Sequence, residues 1–279
     1  MAVSGIAAVD LSIQEVISAL CTQTLMQNSV ALQIPGVWDR SGEVGPGMDQ
    51  LDMIELAELA IQTVDEAGGA MTPQTIVMAA QSLVLDQHKS IPFSVTSRGS
   101  LQSKLALVQK TVANAARSLA YDIDDTIFAE AAANAGTTDV TASTDGLADV
   151  LKCKKQFDVD NVPREMRAIV GSPGWINDSL LTSSSVIKAN EYGSDQPIRK
   201  GFVASVYDFM IFESSSSDIP ADGYIGFGLE ACAFARQRAM EFERERKVLE
   251  QRDDYALTQL YGVQTTAATN PRLFVYNPA

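Results

Sequence analysis

The spacing of hydrophobic side chains predicts one long amphipathic helix at residues 100–135. Apolar residues recur there every three or four positions, the period of a helix with one buried face; they are Leu101, Leu105, Val108, Val112, Ala116, Leu119, Ile123 and Ile127. Ser100 is placed to cap its start, and Asn134-Ala135-Gly136 supplies a stop. At 1.5 Å per residue such a helix spans about 50 Å, so we expect the fold to be organised around it.

Two different patterns precede this helix. Residues 10–27 predict an earlier helix, because their apolar residues share one face and Asp10 can cap it. Residues 34–98 begin rich in Gly, Pro and acids, and within them residues 72–95 predict extended strands, with Pro92 favouring a sheet edge. This stretch has too little apolar surface to fold alone, so we expect a long projecting loop of the kind that is usually functional.

The half of the chain after the long helix predicts mostly strands. Turn-forming residues 136–146 mark a boundary. Apolar runs then predict three buried strands, at residues 164–172, 200–214 and 223–235. Between the first two strands, Ser172-Pro173 opens a helix, since proline is favoured in a first helical turn.

The last part of the chain is highly charged and then strand-like. Residues 236–254 interleave acids and bases, which indicates either a solvated helix or a polar edge facing another subunit. Residues 255–279 predict a strand, a turn at Asn270-Pro271 and a final strand. Together with the long helix, these elements predict an α+β fold.

Composition is that of an ordinary soluble globular protein, with 46% hydrophobic and 20% charged residues. No apolar run reaches the roughly 18 residues of a membrane span, and the N-terminus lacks the basic residue that precedes the core of a secretory signal. The three cysteines, Cys21, Cys153 and Cys232, stand far apart. We therefore expect buried free thiols in a reducing compartment and neither disulfides nor a zinc site.

The net charge of −14 is unevenly distributed. Arg40 is the only Lys or Arg among the first 88 residues, which hold eleven Asp and Glu, whereas residues 98–121 hold four basic residues and no acid. Tight binding to duplex DNA is not expected, because affinity for phosphates requires clustered Lys and Arg. Two interpretations of the asymmetry stand: acidic and basic segments meet within or between subunits, or the acids serve solubility alone.

The sequence contains no recognisable catalytic, cofactor or metal site. His88, the single histidine, has no nucleophile nearby and is expected at a surface or interface. Asp122, Asp124 and Asp125 form a carboxylate cluster, but no ligand follows at a known spacing, so a solvated face or an interface is favoured over a site. Gly223-x-x-Gly226-x-Gly228 lacks the order and context of a dinucleotide site and is expected to let strands approach closely. We therefore expect a protein that is not an enzyme.

Three stretches resemble the major capsid proteins of tailed bacteriophages, most closely those of short-tailed podophages. NVPREMRAIVGSPGWINDSLL (161–181) has their Asn-Val-Pro, basic residue, apolar strand and Pro-initiated helix. IRKGFVASVYDFMIFESSS (198–216) is similar to their glycine, strand and glutamate–serine element. Residues 230–273 resemble their charged segment that ends in Tyr261-Gly262 and a proline turn; here the turn is Asn270-Pro271-Arg272, where many relatives have Arg-Pro-Glu.

The resemblance implies a Hong-Kong-97-type capsid fold, with a long spine helix, an extended β-hairpin loop and an axial domain whose central β-sheet is flanked by helices. The motifs cover residues 98–279, and the earlier residues match by layout only. The implied domains are an N-terminal arm at 1–33, an extended loop at 34–98, a peripheral domain at 99–150 and 236–279 with the spine helix at 100–135, and an axial domain at 151–235.

The function implied is that of a major capsid protein, which self-assembles as hexamers and pentamers into the icosahedral shell around the double-stranded DNA of a tailed phage. The implied partners are further copies of the chain, portal and scaffolding proteins, a cement protein in some cases, and DNA contacted without sequence specificity, with no membrane and no cofactor. The implied location is the virion, after assembly in the bacterial cytoplasm. Candidate contacts between subunits are Trp38, Arg40, Glu43, Asp49, Lys104, Lys110, Arg117, Arg244 and Arg246.

Three alternatives remain beside this interpretation. An encapsulin-like nanocompartment shell protein would have the same fold, although the long loop and the podophage-like motifs count against it. A hydrolase would have to use the carboxylates of Asp122, Asp124 or Asp125 with an unrecognised ligand. A tail or decoration protein would act as an adhesive module.

Overall fold

The described part of the chain begins with a helical segment. In this computed structural model the residues described are 17–23, 25, 29–56, 61–62, 73–75, 78–102, 107–143, 145–182 and 202–278. Residues 17–23 are helical and form α1, inside the helix predicted at 10–27. Leu25 is also helical. The rest of that prediction, residues 10–16, 24, 26 and 27, lies outside the described residues.

Two described helical stretches lie on and just before the long predicted helix. Helix α2 is Ser97–Gln102 and helix α3 is Leu107–Ala133. The Oγ1 atom of Thr96 accepts a hydrogen bond from the backbone N–H of Gly99 at 3.2 Å, so Thr96 caps α2 and the predicted cap at Ser100 is wrong. The 27 residues of α3 span about 40 Å, and residues 103–106, which the prediction also includes, lie outside the described part of the chain.

Twelve strands are found among the described residues. They are β1 Val37–Asp39, β2 Gln50–Leu56, β3 Met78–Val84, β4 Gln87–Thr96, β5 Ala135–Asp139, β6 Ala168–Gly171, β7 Phe202–Val206, β8 Phe209–Glu213, β9 Tyr224–Phe227, β10 Cys232–Lys247, β11 Arg252–Thr265 and β12 Asn270–Tyr276. A four-stranded sheet has the order β1-β10-β11-β4, a six-stranded sheet the order β5-β12-β9-β6-β8-β7, and β2 with β3 forms a separate hairpin. As predicted, the strand that contains Pro92 lies at a sheet edge.

Two hydrophobic cores join the helices to the sheets. The apolar face of α3 packs against both larger sheets, and its Ala116, Leu119, Ile123 and Ile127 are buried. The second core lies between the six-stranded sheet and two helices, α4 (Gly146–Val159) and α5 (Trp175–Leu180). A side chain at Gly226 would come within 2.6 Å of the Cys153 sulfur of α4, so this glycine allows helix and sheet to approach closely.

Several sequence predictions about the second half are corrected by the structure. Helix α4 was not predicted at all, although the Asp145 side chain caps it by accepting from the N–H of Leu147 at 3.2 Å. The turn-forming stretch contains a strand, β5. The predicted strand at 200–214 is two strands joined by a turn at Tyr207-Asp208, and the one at 223–235 is β9 followed by the start of β10.

The charged stretch at residues 236–254 is not a helix. It forms the outer part of the β10–β11 hairpin, in which acidic and basic side chains pair across and along the strands. Strand β12 already begins at Asn270, so the predicted turn at Asn270-Pro271 is wrong and the chain turns just before it. The three cysteines are free and buried, as predicted.

Candidate functional site

The acidic residues of α3 do not form a shared site. Asp124 is buried, and its carboxylate accepts hydrogen bonds from the Ser29 hydroxyl at 2.5 Å and from the N–H groups of Val30 and Ala31 at 2.9 and 3.1 Å. Burial outweighs these hydrogen bonds and raises the pKa of Asp124 to about 6. This carboxylate therefore fastens the chain before β1 to the middle of α3.

The two neighbouring carboxylates bind other parts of the same chain. Asp122 accepts a hydrogen bond from the Tyr261 hydroxyl at 2.7 Å and lies 3.4 Å from the Nζ atom of Lys89. Asp125 accepts from the Ser216 hydroxyl at 2.5 Å. Each acid thus contacts a different segment of its own chain. Asp124 is buried, so the predicted solvated face is wrong for this residue, whereas Asp122 and Asp125 remain partly exposed.

The partners of these three aspartates indicate a role in packing. The carboxylate of each aspartate is already engaged with hydroxyl, backbone or lysine donors of its own chain. Among the described residues, no group of three or more His, Cys, Asp and Glu could hold a metal ion. His88 is exposed on the edge strand β4. None of the described helices is long and apolar enough to cross a membrane.

Three of the predicted contact residues near the start of the chain, Trp38, Arg40 and Glu43, form one partly exposed cluster. The Arg40 guanidinium lies 4.5 Å from the centre of the Trp38 ring and forms an ion pair of 2.5 Å with Glu43. Hydrogen bonding from Arg40 lowers the pKa of Glu43. Asp49 is exposed just before β2. Trp38 itself is 39% exposed, which is high for a tryptophan, so the cluster is open to contact from outside.

The other predicted contact residues lie in two further places. Lys110 and Arg117 are exposed on α3, whereas Lys104 lies outside the described residues. Arg244 and Arg246 are on the β10–β11 hairpin, where both approach Asp253, at 3.5 and 3.1 Å. The structure thus distributes the eight described candidates over several surfaces and does not bring them together into one site.

The β2–β3 hairpin has one packed face and one open face. Leu51, Met53 and Leu83 are buried against the start of β10. The opposite side, here called the hairpin outer face, consists of Gln50, Asp52, Ile54, Ala80, Ser82 and Val84, all exposed. Ile54 is 63% exposed and no basic residue lies on this face, so it combines acidic and apolar character.

A second open surface lies on helix α4, which the sequence patterns did not predict. The inner side of α4 is buried in the second core. Its α4 outer face consists of Leu151, Lys154, Lys155, Asp158 and Val159, which recur at helical spacing along the opposite side. Leu151 and Val159, two apolar residues outside the buried stripe, were the available signal in the sequence.

Comparison with known proteins identifies the class of fold. Neither a protein-family model nor a curated protein sequence matches the chain. The structure is similar to a chain of the capsid of cyanophage P-SCSP1u, with a TM-score of 0.66 and 14% identity over 87% of this chain and 86% of that one. It is also similar to a protein of Mycobacterium phage Che8, with a TM-score of 0.64 and 21% identity over 82% and 85% of the two chains.

The same fold extends to a particle from an archaeon. A virus-like particle from Pyrococcus furiosus matches with a TM-score of 0.62 and 10% identity, over 95% of this chain and 99% of that one. The chain therefore has the mixed α+β fold of phage capsid proteins, with several sheets and few helices among its described residues.

Proposed function

We propose that this chain is the major capsid protein of a tailed bacteriophage, a structural subunit and not an enzyme. The observation that carries the proposal is the fold likeness to phage capsid chains over more than four fifths of both partners. The podophage-like motifs of residues 161–181 and 198–216 support the tailed-phage assignment. The subunits would assemble as hexamers and pentamers into an icosahedral shell around double-stranded DNA.

The Hong-Kong-97-type details form part of the same proposal. Helix α3 is the spine of a peripheral domain at 99–150 and 236–279, and the β2–β3 hairpin is the root of the extended loop at 34–98. Strands β6 to β9 of the six-stranded sheet centre an axial domain at 151–235, and the other two strands of that sheet, β5 and β12, come from the peripheral ranges. Two packing facts support it: α3 holds both larger sheets together, and the hairpin rests on the chain through one face only. Residues 1–33 would be the N-terminal arm.

The partners follow from a role in a shell. Further copies of the chain would contact Trp38, Arg40, Glu43, Asp49, Lys104, Lys110, Arg117, Arg244 and Arg246. Portal and scaffolding proteins, and a cement protein where one exists, would bind the assembled shell. The acidic net charge of −14 fits a container that does not grip its DNA, because phosphate binding requires clustered cations. The subunits would assemble in the bacterial cytoplasm and end in the virion.

An encapsulin-like nanocompartment is the second candidate. The specific observation in its favour is the match to the Pyrococcus furiosus virus-like particle, which covers nearly all of both chains. The contents of the particles separate the two candidates, since a capsid encloses nucleic acid and a nanocompartment encloses protein.

Expression of the full-length chain, alone and with a scaffolding protein, tests the proposal. We expect closed shells by analytical ultracentrifugation and electron microscopy, because the hairpin outer face and the α4 outer face are available for contacts with other copies. A chain that stays monomeric at every salt concentration, with scaffolding protein present, contradicts the proposal. Shells that enclose protein in place of DNA when the chain is made in its natural host would favour the nanocompartment.

A hairpin truncation tests the assignment of the extended loop. Removing residues 40–90 would also remove Leu83 and Leu85 from a packed core, so a smaller deletion is the better test. Replacing residues 55–79 by Asn-Gly joins Ile54 to its partner Ala80 with a favourable two-residue turn. We expect a folded subunit that no longer forms shells. Normal shells from this variant would show that the loop assignment is wrong.

A further inference from the structure

The α4 outer face is an apolar and basic surface without a covering layer in the described chain. Leu151 is 42% exposed and Val159 is 65% exposed, and with Lys154, Lys155 and Asp158 they line an open depression of about 470 Å³. An amphipathic helix that packs only on its own domain normally keeps such residues on the buried side. The helix therefore presents a second contact face.

Neighbouring turns extend this surface with exposed side chains. Tyr207 has a φ angle of 51° because it lies in the two-residue turn that joins β7 to β8, and Met166 has a φ angle of 57° just before β6. They are 42% and 55% exposed, and the Lys154 Nζ atom lies 5.5 Å from the centre of the Tyr207 ring. These two side chains add exposed apolar area beside the α4 outer face.

The charge of the surface limits what can bind it. Residues 151–167 hold five Lys and Arg against three Asp and Glu, in a chain whose net charge is −14. Within the part of the chain that the structure describes, Lys154 and Lys155 form no ion pair with a carboxylate. Asp158, the one acid of this face, is already paired with Arg164 and Arg167 of its own chain. Two α4 outer faces would therefore repel each other, because each would bring its lysines against the lysines of the other. The complementary partner is acidic and partly apolar.

The hairpin outer face of the same protein has this complementary chemistry. Asp52 and the nearby exposed Asp49 and Asp86 supply negative charge, and Ile54 and Val84 supply exposed apolar area. Residues 41–88 contain no Lys or Arg to disturb the match. Opposite charges together with matching apolar surface are what a specific protein contact requires.

We propose that the α4 outer face of one copy binds the hairpin outer face of a second copy. The inference rests on the proposed function as a shell subunit and specifies one of its contacts. The two faces are different, so the contact is head-to-tail, and a head-to-tail contact forms a closed ring when its repeated rotation completes a full turn. Tyr207 and Met166 border the contact, and Lys154 and Lys155 face Asp49 and Asp52.

A charge reversal on α4 is the first test. The double variant Lys154→Glu and Lys155→Glu places like charges opposite each other, so the subunit concentration needed for shell formation rises by about tenfold or more. The subunit itself stays folded, because neither lysine has a described ion-pair partner in its own chain. Circular dichroism and the thermal unfolding midpoint, within about 3 °C of wild type, verify this.

A charge swap identifies the occupant. Adding Asp49→Lys and Asp52→Lys to the α4 double variant restores the complementary charges, and we expect shell formation to return to within about threefold of the wild-type concentration. The matched control adds Asp218→Lys and Asp222→Lys, two exposed acids of another loop, with the same change in net charge. This control is expected to leave assembly impaired.

The outcomes separate the inference from the proposed function. If wild type and the α4 double variant form shells equally well, the inference is overturned while the capsid proposal stands. If the mismatched control rescues as well as the swap, or the swap does not rescue, the hairpin is not the occupant and the inference is likewise overturned. A wild-type chain that never assembles contradicts the proposed function, and the inference is lost with it.

Discussion

Helices α3 and α4 both carry charged side chains, but three acids of α3 bind groups of their own chain, whereas two lysines of α4 form no ion pair with a described carboxylate. On α3, Asp122, Asp124 and Asp125 each bind groups of the same chain. On α4, Lys154 and Lys155 meet no carboxylate among the described residues. The two helices flank the same six-stranded sheet, so their environments within the fold are comparable. Charges that a subunit satisfies internally stabilise the fold, and charges that it leaves open are available to another copy.

The difference has an energetic reason. A buried carboxylate that accepts several hydrogen bonds is costly to remove, because its donors lose their partners inside the protein. An exposed lysine is fully solvated, so its loss changes the free energy of unfolding very little. Mutations on the two helices should therefore divide cleanly between effects on folding and effects on association.

The largest effect on folding is expected from Asp124→Ala. The substitution leaves the Ser29 hydroxyl and the N–H groups of Val30 and Ala31 without an acceptor, so the free energy of unfolding should fall by about 3 kcal/mol. Chemical denaturation of the unassembled subunit measures it. Asp124→Asn keeps one acceptor and serves as the control, with a smaller loss. A change below about 1 kcal/mol for the alanine variant would contradict the role of Asp124 as a fastener.

The raised pKa of Asp124 should make the free energy of unfolding depend on pH. Burial raises the pKa of Asp124 from its ordinary value of 3.8 to about 6. Between these two pH values the carboxyl is protonated in the folded state and ionised in the unfolded state, so a lower pH favours folding. The resulting stabilisation is complete below the unfolded value and is lost as the pH rises through about 6. Between pH 7 and pH 5, wild type should gain about 1 kcal/mol relative to Asp124→Asn. Parallel stability curves for the two proteins would argue against this shift.

A smaller effect is expected from Tyr261→Phe. The change removes the hydroxyl that donates to Asp122 at 2.7 Å but keeps the buried ring. A single hydrogen bond to a charged group contributes about 1 to 2 kcal/mol, and partial exposure of Asp122 places the expected loss near 1 kcal/mol. Thermal and denaturant unfolding measure it. Thr258→Val, on the opposite face of the same strand, removes a hydroxyl that forms no hydrogen bond among the described residues and therefore serves as the control.

The smallest effect on folding is expected from Lys154→Ala combined with Lys155→Ala. Neither side chain pairs with a carboxylate in the described chain, so the free energy of unfolding of the subunit should stay within about 0.5 kcal/mol of wild type. The same variant should weaken shell formation, in contrast to Tyr261→Phe. A stability loss comparable to that of Asp124→Ala would remove the distinction between the two helices.

The features predicted from the sequence are those with a strong local period. Helix α3 was found because its buried face repeats over seven turns, and the edge position of β4 was found from Pro92. Helix α4 was missed, because only Val150, Cys153 and Phe157 form its buried stripe and lysines interrupt them. The outer part of β10 was ambiguous because both of its faces are polar there, which removes the alternation that marks a strand.

The contacts of the candidate site could not be predicted, since they join distant parts of the chain. Asp124 binds residues more than 90 positions earlier, and Tyr261 binds Asp122 from 139 positions later. Spacing along a helix shows which side an acid occupies but not what lies opposite. The cluster of three aspartates therefore resembled a solvated face until the fold placed a different partner against each one.

Electron cryomicroscopy of the particles formed by the full-length chain tests the central claim most directly. The chain is expected to form closed icosahedral shells of hexamers and pentamers, in which the α4 outer face of each copy is covered by the β2–β3 hairpin of a neighbour. The carboxylates of α3 should keep their contacts within each copy. Open filaments, unassembled subunits, or shells in which both faces remain exposed to solvent would contradict this account.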